Sequence, residues 1–209
     1  AQRKPRRQGC CREALGDKLS SMQCPERDRI RYTPLFCEEN IWWLARSMLE
    51  EGVDAAGLSV LYLSNARQSI LLANQSAAAE GRLVIWDYHV VLRARLEDVE
   101  YIFDPDTRLD FPEPLASYLA QTFPTQAELP ERMRTWVRSV PAASYLSHFR
   151  SDRRHMLGKV PLSAYPDYPI IMPPVGAPCI DLIEYRDMHK ALADGSVVVP
   201  VDALAAPPA

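Results

Sequence analysis

The sequence predicts a mixed α/β (α+β) domain built on a largely antiparallel central sheet. Three observations lead there: one strongly amphipathic helix comes first, a series of short β-like runs follows it, and the elements after that are mixed. The chain has 209 residues, 47% of them apolar, which is enough for one domain with a sizeable core.

The helix is the clearest element. Ile41, Leu44, Ala45, Met48 and Leu49 recur at the spacing of one helical face, so a helix is predicted from near Cys37 to just before Gly52. Upstream, Pro34 disfavours helix in the residue before it, so Tyr32–Phe36 reads as extended. Strand-like runs follow at Leu58–Leu63, Ser69–Leu72, Leu83–Ala94 and Tyr101–Asp104. Helices are predicted over Leu115–Thr122 and Ala142–Phe149, with a short strand at Trp136–Val140 between them and a last strand at Ser196–Val201. Pro161, Pro166, Pro169, Pro173, Pro174 and Pro178 resist regular structure, so this stretch reads as a long ordered loop. Its anchors are expected to be Tyr165, Tyr168, Ile170, Ile171 and Met172.

The net charge of -3 conceals an asymmetry, because residues 1–33 hold nine Lys/Arg against four Asp/Glu. Residues 1–30 are expected to be a basic, solvated extension with at most a weak helical stretch near 11–20, and residues 31–209 a single catalytic domain. Met22 is a candidate natural start within that extension. The acidic remainder argues against nucleic acid as a partner. No run approaches the ~20 apolar residues of a membrane span, and the start lacks a signal-like apolar core. Five cysteines, without framework spacing, argue for reduced thiols and a cytoplasmic setting, with the nucleus as a further address.

The chemistry gathers at three residues. Cys37 stands where extended chain turns into helix, where the first N–H groups lack internal partners and favour a thiolate or an oxyanion. Alone this is weak, since a free cysteine is most often a small buried hydrophobe. His89 sits in Val84–Leu92; read as one strand, Asp87, His89 and Val91 share a face and Trp86, Tyr88, Val90 and Leu92 the other. A carboxylate and an imidazole amid an apolar strand are costly unless paired or used. If Glu97-Asp98 is a two-residue turn, Leu96 faces Val99 and Val91 faces Asp104, which puts Asp104 diagonal to His89. Cys37, His89 and Asp104 then form a nucleophile, base and orienting acid.

The residues around these three resemble the protein N-terminal glutamine amidohydrolase family. The resemblance rests on Tyr32-Thr33, Phe36-Cys37-Glu38-Glu39-Asn40-Ile41-Trp42, the run Val84–Leu92, Asp104–Pro112, Tyr145-Leu146 and Ser151–Met156, in family order. It implies a three-layer sandwich of the papain/transglutaminase-like kind and a Cys37/His89/Asp104 triad. It also implies hydrolysis of the side-chain amide of an N-terminal glutamine to glutamate, with entry of the product into the N-degron pathway.

Reading a free α-ammonium needs a carboxylate in the cleft. Asp87 is the first candidate and Glu39 the second, with Phe36 and Trp86 as cleft residues. His155 is read as structural, with Asp152 and Arg153 forming an ion pair beside it, and Cys179 as buried filler. No His/Cys spacing reads as a zinc site, and the reaction requires neither metal nor organic cofactor. The expected partner is the N-terminal Gln of a peptide, bound by a monomer. The rival readings are another acyl-transfer enzyme of the same superfamily, or an idle module that binds N-termini.

Overall fold

The computed structural model describes residues 24–123 and 126–205, so the expectation of a weak helix near 11–20 lies outside the described residues. Helix α1 spans Cys37–Glu50 and buries Ile41, Leu44, Ala45 and Met48 of the predicted stripe, with Leu49 partly buried. Its end is a Schellman motif: the Val53 N–H donates to Met48 O at 3.0 Å and Gly52 N–H to Leu49 O at 3.1 Å. Gly52 adopts φ 92°, a left-handed conformation that glycine takes without steric cost.

The main sheet comprises β1 (Leu58–Ser64), β4 (His89–Leu96), β5 (Val99–Phe103), β6 (Glu113–Pro114), β7 (Trp136–Pro141) and β10 (Val197–Pro200). Its order is β10-β7-β1-β4-β5-β6, and every pairing is antiparallel. Alternate residues of each strand serve two separate cores. Val60, Tyr62, Val90, Leu92 and Phe103 pack with α1, α3 (Ala142–His148) and α4 (Leu182–Arg186). Leu61, Leu63, Val91, Ile102 and Val137 pack on the opposite face with α2 (Leu115–Thr122) and Val201 and Leu204. Helices on one face, sheet, and helical segments on the other give the predicted three layers.

The run expected as one strand from Leu83 to Ala94 is two. A bend at Asp87 separates β3 (Val84–Trp86), which pairs with β2 (Ile70–Leu72) in a two-stranded sheet, from β4. The Ser64 hydroxyl donates to Asp87 O at 2.8 Å and fixes the bend. No Gly or Pro marks this break, so hydropathy alternation runs straight through it. The proline-rich loop is ordered but anchored more sparingly than expected. Ile171 is buried and exchanges hydrogen bonds with Ser151, whereas Ile170 and Met172 are more than half exposed. The short strands β8 (Phe149–Arg150) and β9 (Ile180–Asp181), and α4 itself, are too brief for periodicity to reveal.

Residues 24–30, assigned in sequence to the extension, lie against the body. Ile30 and Cys24 pack on the core, and the Arg27 guanidinium donates to Leu109 O at 2.8 Å and to Thr107 O.

Candidate active site

The approach to Cys37 is a tight turn. Phe36 N–H donates back to Thr33 O at 3.3 Å, with Pro34 and Leu35 between, and Leu35 holds φ 72°. That conformation costs a leucine roughly 1–2 kcal/mol. Asn40 clamps the turn to the helix: its Nδ2 donates to Thr33 O and its Oδ1 accepts from Thr33 N–H, both at 2.8 Å. From below, the buried Tyr145 hydroxyl donates to Glu38 O at 3.1 Å. The result is a fixed helix start with Cys37 on its first turn.

His89 opens β4, and Asp104 follows directly after the last residue of β5. Leu96 pairs with Val99 and Leu92 with Phe103, the predicted register, and His89 Nε2 meets Asp104 Oδ1 at 3.0 Å. Both side chains are buried. The Asp104 carboxylate accepts four hydrogen bonds. Oδ1 also takes the Asp106 N–H at 3.0 Å, and Oδ2 takes the Tyr118 hydroxyl at 2.8 Å and Gln75 Nε2 at 3.2 Å. Burial opposes the imidazolium, yet the charge and hydrogen bond of Asp104 raise His89 above the ordinary histidine value. Burial likewise works to raise Asp104, but His89 and then Tyr118 and the Asp106 amide bring it below the usual carboxylate range. Gln75 and Tyr118 gave no sequence signal, since each lies far from the motif it serves.

The sequence expects the helix start to lower the Cys37 thiol, and the surroundings do the opposite. Burial first, then the charges of Glu38 and Asp106, push Cys37 well above the ordinary thiol value, and only the Val90 backbone N–H opposes them among the leading effects. Glu38 Oε2 lies 3.7 Å from Cys37 Sγ and accepts the Tyr88 hydroxyl at 3.0 Å. Glu38 Oε1 is buried with no hydrogen bond, and burial pushes this carboxyl up to about 7.

His89, Asp104 and Asp106 offer three ligand atoms within 4.8 Å of one another. A metal does not suit them, because each Asp104 oxygen already accepts two hydrogen bonds and so has no lone pair to spare.

The cleft residues need correction. Asp87 does not share a strand face with His89; it lies in the bend and accepts Arg186 Nη1 at 3.0 Å. Glu39 is buried and takes a two-pronged bond from Arg153, at 2.8 and 2.7 Å. Arg153 therefore pairs with Glu39, and Asp152 pairs instead with Arg154. Phe36 is fully buried against Tyr165 and His155, a foundation rather than a cleft wall. Trp86 is half-buried with its ring 4.9 Å from that of His89, so it does border the site. Cys179, expected as buried filler, is exposed. His155 holds its loop as expected, with Nδ1 donating to Asp152 O at 2.7 Å.

The Glu39–Arg153 pair yields a stability prediction. Arg153→Met leaves a buried carboxylate without its counter-charge, a loss of about 3–5 kcal/mol. Thermal melting should fall by roughly 6–20 °C for a domain of this size, and Glu39→Gln in the same chain should restore part of it. A melting point within a degree of wild type would show the pair to be dispensable.

A six-stranded antiparallel sheet between helical layers, with a buried histidine–carboxylate pair at one end and a cysteine at a helix start near enough to feel the Asp104 charge, fits the papain/transglutaminase-like class. Within that class a family profile described as N-terminal glutamine amidase matches residues 32–205. The chain belongs to that family. It is 38% identical over 136 residues to the protein N-terminal glutamine amidohydrolase of Arabidopsis thaliana, covering 61% of each chain. The protein of that name from Danio rerio is 32% identical over 164 residues, covering 78% of each. The human one is 35% identical over 134 residues, 63% of this chain and 65% of its own. The match thus spans about three-fifths of the length of the Arabidopsis relative. Among the described residues no helix is long and apolar enough to cross a membrane.

Proposed function

We propose that this chain hydrolyses the side-chain amide of an N-terminal glutamine, giving glutamate and ammonia, with Cys37, His89 and Asp104 as the triad. The observation that carries the reading is the buried His89–Asp104 pair, with the helix-borne Cys37 near the Val90 backbone N–H, next in sequence to His89, and within reach of the Asp104 charge. The names of the relatives supply the substrate.

His89 uses Nε2 for Asp104, so Nδ1 is the nitrogen that takes the thiol proton. The thiolate attacks the side-chain carbonyl carbon, and the oxyanion rests on helix-start N–H groups, that of Cys37 among them. The imidazolium then gives its proton to the amide nitrogen, the C–N bond breaks, and ammonia leaves a thioester on Cys37. His89 draws a proton from water, hydroxide adds to the thioester carbon, and the thiolate departs and is reprotonated. One water is consumed for each ammonia released. Asp104 fixes the imidazole and stabilises its charged form throughout. The new N-terminal glutamate would enter the N-degron route.

The test is ammonia release from peptides that differ only at position one. Gln-initial peptides should release ammonia and gain one mass unit. Asn-initial peptides should react more slowly by the 10–200-fold that one methylene supports. Peptide-bond cleavage or cross-linking to amines in place of ammonia release would assign the site to another acyl-transfer chemistry.

A further inference from the structure

The surroundings of the nucleophile present a puzzle in charge. Beyond burial, three carboxylates push the Cys37 thiol away from ionising: Glu38, Asp106 and Asp104, in that order. For an enzyme that must form a thiolate, such neighbours are a hindrance; the His89 imidazolium formed in the transfer offsets part of it, and a cation arriving with the substrate would offset more. A terminal glutamine carries one, an α-ammonium separated from the reacting amide carbon by three carbons.

Four acidic side chains have to be compared as its receiver. Asp87 and Glu39 already hold Arg186 and Arg153. Glu38 is 1% exposed and sealed in place, with the Tyr88 hydroxyl on Oε2 and His155 Nε2 3.8 Å from Oε1. Asp106 differs from all three. It is half-buried, as Asp87 is, but its carboxylate accepts the Tyr32 hydroxyl at 2.5 Å and offers an oxygen within 4.8 Å of a His89 ring nitrogen and an Asp104 carboxylate oxygen. Tyr32 is itself 42% exposed, so this edge of the site faces solvent. Burial and the Asp104 charge raise Asp106, while His89, Tyr32 and Arg27 act against them. An added cation would relieve both the carboxylate and the thiol.

Resting on the glutamine amidohydrolase reading, we propose that Asp106 receives the free α-ammonium of the substrate. Selection of the chain terminus and activation of the nucleophile are then one event. The arriving charge offsets the acidic repulsion that, after burial, holds the resting thiol protonated, and an internal glutamine brings no such charge. Tyr32 is the positioning residue that aims the Asp106 carboxylate.

The experiment compares a Gln-initial peptide with its des-amino analogue, in which the first residue is a 4-carbamoylbutanoyl group. Wild type should favour the free amine by roughly 100-fold or more in kcat/KM, the scale set by loss of a charge-assisted contact of about 1.5–3 kcal/mol together with loss of activation. Asp106→Asn should lose about twentyfold or more on the Gln peptide, with little change on the analogue, and so shrink the preference to less than about fivefold. A second readout moves in the opposite direction. With substrate absent, iodoacetamide should label Cys37 faster in Asp106→Asn than in wild type, both carrying Cys179→Ser, because one repelling charge has gone. A merely structural role would not speed labelling while slowing turnover. Should Asp106→Asn fail to fold, Tyr32→Phe serves instead, with a loss expected on the free-amine peptide and none on the analogue. An undiminished preference in Asp106→Asn, or equal losses on both peptides in Tyr32→Phe, overturns the proposal while the amidohydrolase reading stands. No ammonia from either peptide with wild type overturns both.

Discussion

Cys37→Ser is expected to lower ammonia release by roughly 10⁴-fold or more, the scale of loss when a covalent nucleophile is removed from an otherwise intact site. The fold should survive, because the change replaces one small, nearly buried atom at the first turn of α1 and leaves the Asn40 clamp and the Tyr145–Glu38 bond in place. A serine hydroxyl is a far weaker acid than a thiol, and here it would inherit the burial and the acidic neighbours that already hold the thiol up. Activity is measured as ammonia and integrity as thermal melting. More than a few per cent residual turnover would remove Cys37 from the centre of the mechanism. Cys179→Ser is the control: that thiol is exposed and so open to alkylating reagents, and its replacement should leave turnover unchanged.

Asp104→Asn should cost about 10²–10⁴-fold in kcat, the range seen when a triad loses its orienting carboxylate. The amide replaces two strong acceptors with one acceptor and one donor, among groups that all donate: His89 Nε2, Tyr118, Gln75 and the Asp106 amide. Burial would then act on His89 unopposed by its main partner and lower it. The same pair links stability to pH. Asp104 is lowered by folding, so its contribution is present above its unfolded value near 4 and is lost as pH falls through the folded value. His89 is raised, so its contribution is present below its unfolded value near 6.5 and is lost as pH rises through the folded value. The stability gap between wild type and Asp104→Asn, from urea unfolding, should therefore be widest between those two limits and close on both sides. A near-wild-type rate, or a gap indifferent to pH, would show that His89 does not depend on Asp104.

The parts of the site that sequence made legible are those where one short-range rule applies. The stripe from Ile41 to Leu49 fixed where α1 starts, and the length of the Glu97-Asp98 turn fixed which residue of β5 stands near His89. The failures have a common cause. The bend at Asp87 is made by Ser64, 23 residues away, and the choice of Arg153 by Glu39 spans 114 residues. Neither contact leaves a local trace. The thiol's resting state leaves only part of its trace, in the adjacent Glu38; burial and Asp106 reach the site only through the fold. Asp106 was nonetheless in view as the second carboxylate of Asp104-Pro105-Asp106.

The turn between β4 and β5 also limits how chain length can vary. His89 and Asp104 stand on adjacent strands joined by Glu97-Asp98, with Glu97 in a left-handed conformation at φ 56°. Their separation is thus a matter of counting residues around a hairpin. Inserting or deleting one residue between them, without a bulge to absorb it, would turn His89 or Asp104 to the opposite face of the sheet. Slipping the pairing by two would keep the face but slide one side chain about 7 Å past the other. The proline-rich loop at 161–178 has no such arithmetic, because it is held at Ser151–Ile171 and through Arg153 rather than by a ladder. Chain length can vary there at little cost in closure entropy, whereas the fifteen-residue step from His89 to Asp104 is a ruler that the hairpin register keeps at one setting.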